Sequence, residues 1–221
     1  IFEPDEVGRR WSEILAAKSA GMFIRRSVFE AIGGFDEDYF IYLEETDLGW
    51  RTWLQGFRVV LEPGSMVYHH FGGSAVTLGA RAVNFNAKFH GCKNYLLTLL
   101  KNLGGAALLR ILPVHAAAWL GLAVLSLFRG HARAAWWILR GLAWNLVHGR
   151  ATWRKRRAIQ ARRRLSDRDL APRIMRKKPW RYYLDKAITV RRMGYAEGFL
   201  RPTPRAAPGS SGPPADGGMH G

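Results

Sequence analysis

Cysteine occurs once, at Cys92, so the chain cannot close a disulfide on itself. That excludes a disulfide-stapled scaffold and suits a reducing compartment, where a lone thiol is ordinarily a small, buried, inert side chain. Internal repeats are lacking, which excludes a solenoid or repeat array. The opening IFEPDEVGRRW has neither an initiating Met nor the basic-then-apolar order of a signal peptide, and an N-terminally truncated piece of a longer protein is expected. Carboxylates are lacking only locally: residues 101–149 carry five Lys/Arg and no Asp or Glu.

That gap divides the 221 residues into zones of different charge. Residues 1–100 hold ten basic against twelve acidic side chains, a net of −2, as an ordinary globular segment does. Residues 150–192 hold seventeen against three, a net of +14 that supplies most of the chain's +17. Three surroundings are implied: water, a membrane or its surface, and a polyanion.

In the first zone, GMFIRR (21–26) reads as a short strand. SVFEAIGG (27–34) reads as a helix with Ser27 as N-cap, Glu30 completing a capping box and Gly33 as the stop. A loop GFDEDYF leads to a second helix from Glu44 to Gln55, closed by Gly56. FRVVLEP (57–63) and SMVYHH (65–70) are β-branched or aromatic runs between Pro63-Gly64 and Gly72-Gly73, and read as strands. This order implies an α/β fold, in part rather than whole.

The second helix opens on Glu44, Glu45 and Asp47. Carboxylates at a helix N-terminus are stabilised by the free N–H groups and the dipole, by about 0.3–1 kcal/mol each, so their presence alone is not a sign of chemistry. Asp47 and Arg51, four residues apart, have the spacing of a helix ion pair. Glu45, however, shares a stripe with Leu48 and Thr52, which turns at least one carboxylate toward the interior or a cleft. An ionised carboxylate beside a cleft is what a general base requires.

The stretch GMFIRRSVFEAIGGFDEDYFIYLEETDLGWRTWLQGFRVVLEPGSMVYHHFGGS resembles the C-terminal half of the catalytic domain of family 2 inverting glycosyltransferases, of the GT-A (Rossmann-like) fold, and especially their bacterial rhamnosyltransferase-like branch. The shared elements are GGFDE, an aromatic pair, an acidic helix start, a G-x-x-V strand, a proline and V-x-H-x-x-G-x-S. The resemblance covers residues 20–74, and it implies that Glu45 takes the proton of the acceptor hydroxyl, with Glu44 and Asp47 beside it. A Glu stands at 45 where relatives more often have Asp. It also implies a divalent cation, Mg or Mn, on the leaving nucleoside diphosphate, with His69 at the family's histidine and His70 as the alternative ligand. Asp36, Gly34 and Arg51 fall on the acceptor side. Asp36-Glu37-Asp38 spells D-x-D, yet in the resemblance it belongs to GGFDE and not to the nucleotide-binding motif, which lies in a half of the domain outside this sequence.

Beyond residue 100, LLRILPVHAAAWLGLAVLSLF (108–128) meets the length of a membrane span marginally. AAWWILRGLAWNLV (134–147) carries Arg140 and reads as an interfacial helix with Trp136, Trp137 and Trp144 at headgroup depth. The alternative is a pair of core helices. The basic run from Arg150, with Arg154, Arg156 and Arg157, suits anionic lipid headgroups or nucleic acid, and its place beside Trp-rich apolar helices favours lipid. A re-entrant or surface-lying helix pair is expected, then a two-span hairpin. Residues 201–221, rich in Pro, Gly and Ser, read as a disordered tail.

The expectation is therefore the C-terminal half of a glycosyltransferase domain (1–100), apolar membrane-associated helices (101–149), a basic amphipathic segment (150–200) and the tail. Its partners would be a nucleotide-sugar donor, a glycan or lipid-linked acceptor of the cell envelope and anionic membrane lipids, at the cytoplasmic face of a bacterial inner membrane. The rival is a noncatalytic module that uses its basic segment to bind a membrane surface or nucleic acid.

Overall fold

Two short segments far apart in sequence start the fold. Strand β1 (Ser12–Glu13) pairs antiparallel with β2 (Val60–Leu61), Ser12 opposite Leu61 and Glu13 opposite Val60. The computed structural model describes residues 12–65, 67, 68, 87–174 and 181. Apart from Arg181, all of these belong to one compact unit.

The run 21–26 departs from the strand expected of it. A 3₁₀ turn, Ser19–Gly21, precedes it, and Met22 is extended but without a ladder partner among the described residues, because β2 is already paired to β1. Helix α1 (Arg26–Ile32) starts one residue before Ser27, so Ser27 caps nothing, and Glu30 accepts from Arg26 at 2.7 Å instead of closing a capping box. Its end is as expected: Gly33, at φ 84°, returns its N–H to the Glu30 carbonyl. Of the SMVYHH run, residues 65, 67 and 68 form no strand, and residues 66, 69 and 70 lie outside the described residues.

Helix α2 (Glu44–Leu54) stops within one residue of the expected end, with Gly56 at φ 85°. Trp50, Trp53 and Leu54 on α2 form an apolar cluster with Leu99, Leu103, Leu108 and Leu170 from later in the chain. Helix α3 (Ala87–Asn102) is central and packs against α2, α4 (Gly105–Phe128), α5 (Ala132–Val147) and α6 (Gly149–Ala161). A short α7 (Asp167–Ile174) closes the first cluster through Leu170. A second cluster joins Cys92 and Leu96 of α3 to Ala123, Ala135 and Ile138 of the α4–α5 hairpin. There Gly141 lets the backbones approach: a Cβ on it would lie 3.0 Å from the Phe89 carbonyl oxygen. Cys92 is fully buried, and burial pushes its thiol up to about 12, which leaves it inert as expected.

Two side chains of α6 close the C-terminus of α3. Arg156 donates to the Leu100 and Leu103 carbonyls at 2.7 and 2.6 Å, and Gln160 donates to those of Lys101 and Asn102. Helix ends leave such carbonyls without intrahelical partners, and a guanidinium satisfies two at once.

Helix α4 is, among the described residues, the one helix long and apolar enough to cross a bilayer, with a mean hydropathy of 1.9 over its most apolar window. At 1.5 Å per residue it is about 36 Å long. Only Leu108 and Ala123 of its 24 residues are buried. A core helix would have most of its apolar surface covered; here Leu120, Leu122, Val124, Leu125, Leu127 and Phe128 are all exposed.

Candidate functional site

Three non-glycine residues with positive φ lie within four positions: Phe40 at 60°, Tyr42 at 68° and Leu43 at 66°. For bulky side chains that conformation costs about 1–3 kcal/mol each and persists only where surrounding contacts impose it. Helix α3 supplies those contacts. The Asn94 side-chain nitrogen lies 3.0, 2.6 and 2.7 Å from the carbonyl oxygens of Tyr39, Ile41 and Tyr42, and Lys93 donates to the Asp38 carbonyl. Tyr39 is fully buried, its hydroxyl hydrogen-bonded to Thr98 at 2.9 Å and its ring 4.8 Å from the Lys101 ammonium. The strained loop delivers the chain to α2 so that its first turn carries the three acids.

Those acids have three different surroundings. Asp47 is fully buried: one oxygen accepts from Asn102 and pairs with Lys101, both at 2.9 Å, and the other accepts from Arg51 at 2.8 Å. Arg51, also buried, donates onward to the Ile32 and Gly34 carbonyls at 2.6 and 2.8 Å, which fastens the Gly33-Gly34 turn to α2. Glu45 keeps only 8% of its side chain exposed and meets the Lys18 ammonium at 2.9 Å, at a surface where Lys18 itself is 86% exposed. Glu44 is half-buried, and its Oε2 is buried without a hydrogen-bond partner among the described residues. Burial raises its carboxyl above the ordinary range, and the charge of Glu45 adds to the rise.

Asp36 receives Lys101 on one oxygen and Lys155 of α6 on the other, each at 2.5 Å, and Lys155 also reaches Asp38 at 2.6 Å. Burial alone would raise the Asp36 carboxyl; the Lys101 charge and hydrogen bond, with the bond from Lys155, hold it at about 2 instead. The loop, α2, α3 and α6 thus share one internal network of acids and cations. Asp36 and Asp38 converge on an ammonium, which is not the donor set of a divalent cation, and no group of three or more His, Cys, Asp or Glu among the described residues could hold a metal. His69 and His70, the expected ligands, lie outside the described residues, as do Gly72, Gly73 and Ser74.

The expected residues therefore separate. Glu44 and Glu45 lie outside the internal network, Glu45 buried against the exposed Lys18, while Asp47, Arg51, Gly34 and Asp36 are joined to one another or to Lys101 and Lys155. Of the expected membrane residues, Trp136 is 59% exposed, and Arg154 and Arg157 face outward. Trp137 and Trp144 are half-buried, with Arg140 over the first at 5.0 Å, and Lys93 over the second at 4.8 Å. Arg156 corrects the expectation made for it: it is buried, and its guanidinium is spent on the end of α3, where it meets two carbonyls that lack intrahelical partners. Sequence reasoning missed Lys18, Lys93, Asn94, Lys101, Asn102 and Lys155. A signal existed for those on α3, since Asn94, Thr98, Lys101 and Asn102 recur at helical spacing in an otherwise apolar segment.

No family model matches the sequence, and no solved structure matches it. Over 49 residues, 22% of this chain, it is 47% identical to the N-acetylglucosaminyl-diphospho-decaprenol L-rhamnosyltransferase of two strains of Mycobacterium tuberculosis. Over 73 residues, 33% of this chain, it is 38% identical to the O-antigen biosynthesis protein RfbC of Myxococcus xanthus. The matches span 16% of the first relative's length and 6% of the second's. These short, partial similarities support a glycosyltransferase-like family.

Proposed function

We propose that the chain is the acceptor-side portion of an inverting, family 2, GT-A glycosyltransferase that builds a cell-envelope polysaccharide or lipid-linked glycan, seated on the cytoplasmic face of a bacterial inner membrane through its apolar hairpin. The observation that carries this is the sorting of the carboxylates. Asp36 and Asp47 are matched by Lys101, whose side chain is 1% exposed, whereas Glu45, itself buried, meets Lys18, whose side chain is 86% exposed and which an incoming substrate can displace.

In this reading Glu45 accepts the proton of the acceptor hydroxyl. The oxygen attacks the anomeric carbon of a nucleotide-sugar donor, the bond to the diphosphate breaks on the opposite face, and configuration inverts. Glu44, adjacent and desolvated, orients the acceptor. Asp47 and Arg51 act as positioning residues: they hold the strained loop and the first turn of α2 in register. The family resemblance calls for Mg or Mn on the leaving diphosphate; no donor set among the described residues fits it.

Replacing Glu45 with Gln in the full-length protein keeps the shape and removes the base. Turnover is expected to fall about 10²–10⁴-fold with the melting temperature unchanged. Near-normal turnover would sink the assignment and favour the second reading, a noncatalytic membrane-surface module, which the uncovered apolar face of α4 also suits.

A further inference from the structure

Helix α6 has two unlike faces. Its inner face is spent: Lys155 on Asp36 and Asp38, Arg156 and Gln160 on the end of α3. Its outer face carries Arg150, Trp153, Arg154 and Arg157, all exposed. Gly149, Arg150, Trp153 and Arg154 line an open concavity of about 740 Å³. Among the described residues neither Arg150 nor Arg154 has an ion pair or hydrogen bond to another side chain, and no Asp or Glu occurs anywhere between Glu62 and Asp167. Arg150 and Arg154, one helical turn apart, flank a hollow whose wall is largely apolar, with the Trp153 ring to one side and Arg156 5.4 Å from that ring.

The hollow also has a place. It lies at the foot of the apolar hairpin: Leu146 and Val147, 83% and 79% exposed, immediately precede it at the end of α5. An amphiphile with its tail along this apolar end would bring its polar head to Arg150 and Arg154. Lys155, the next residue, grips the loop that leads to Glu44 and Glu45, so a head group here is separated from that loop by about one helix diameter, ~10 Å. A guanidinium binds one phosphate through two parallel hydrogen bonds, and two of them match two linked phosphates better than one.

We propose that this hollow binds the diphosphate of a lipid-linked acceptor, a polyprenyl diphosphate, with the attached sugar directed past α6 to the acidic helix start. Calling the ligand an acceptor rests on the glycosyltransferase reading; the binding itself does not.

The test uses the 221-residue chain and three kinds of phosphatidylcholine vesicle. One is plain, one contains a small fraction of polyprenyl diphosphate, and one contains phosphatidylglycerol at matched charge. The chain should float with the diphosphate vesicles about tenfold more tightly than with the phosphatidylglycerol ones. Exchanging both arginines (R150Q with R154Q) should abolish that preference while leaving attachment to plain vesicles through the hairpin. Gly149→Leu should do the same by filling the hollow, since a Cβ at that glycine meets nothing within 4 Å and the fold has no reason to change. Glu45→Gln should bind like the wild type, so loss of transfer and loss of this site are read separately. Equal binding to the charge-matched vesicles would reduce the hollow to a general anionic-lipid contact and overturn the proposal. Retention of the preference in both variants, or stronger binding of RNA at equal phosphate, would overturn it as well.

Discussion

Helices α2 and α4 reverse the usual relation between polarity and burial. α2 opens with three carboxylates and carries Arg51, yet nine of its 11 residues are buried. α4 has a single charged side chain, Arg110, in 24 residues, yet buries two. A charged helix can be interior only where each charge is matched, and Asp47 shows how this is done, with Lys101, Arg51 and Asn102 all within 2.9 Å of it. An apolar helix left on the exterior leaves a large apolar patch uncovered, which marks an interaction surface. Water-facing leucine and valine side chains each forgo about 1.5–3 kcal/mol of burial, and α4 has the length and composition of a helix able to cross a bilayer. α3 joins the two, polar toward the acidic loop and apolar toward the hairpin.

The largest effect that would break the comparison lies at Asp47. Truncating it to Ala strands Lys101 and Arg51 in the interior, and removal of one partner from a buried charge cluster costs about 3–5 kcal/mol. Chemical unfolding of Asp47→Ala should show a loss of that size, whereas Asp47→Asn, which keeps oxygen and shape, should lose less. A loss under about 1 kcal/mol for the Ala variant would place Asp47 with surface helix pairs, which contribute no more than that, and α2 would no longer be the matched-charge half of the pair.

Acid should separate the two regions next. Asp36 is held at about 2 against an ordinary 3.8, a depressed carboxylate, so the stability it contributes is complete above about pH 4 and disappears as pH falls toward 2. Allowing for solvent screening, about 1–2 kcal/mol should be lost across that window, and Asp36→Asn should flatten this part of the slope. α4 has no carboxylate to titrate, so helix exchange rates in its own segment should follow the global loss without a separate acid step.

How much of this was legible follows the same divide. The ends of α2 were readable because Gly56 and the acidic first turn are local signals, and the i, i+4 pair of Asp47 with Arg51 follows from spacing alone. That the pair is buried was not, because its other partners, Lys101 and Asn102, come from some fifty-five residues away. Lys155 meets Asp36 across 119 positions, and nothing in RATWRKRRAIQ distinguishes it from the arginines that face out. Arg156 illustrates the cost: composition counts it with the polyanion-binding run, while the fold spends it on α3. The failed cap at Ser27 is a local error of another kind, since the helix starts two residues early, with Arg25 at the N-cap, and places that hydroxyl inside the first turn.

The smallest expected change in stability is also the sharpest test of what surrounds α4. Leu122, Leu125 and Phe128 are 40%, 42% and 86% exposed, and exposed positions of this kind contribute little to folding within the chain. Changing all three to Ser should therefore alter unfolding in detergent by less than about 0.5 kcal/mol per site. The same variant should lose attachment to plain phosphatidylcholine vesicles, since each large apolar group withdrawn from a bilayer forfeits about 1.5–3 kcal/mol, more than tenfold in partitioning per residue. If instead the variant unfolds early and still binds vesicles, the exposed face is structural cover for a neighbouring part of the protein, and the inversion between the two helices is one of assembly within the chain and not of solvent.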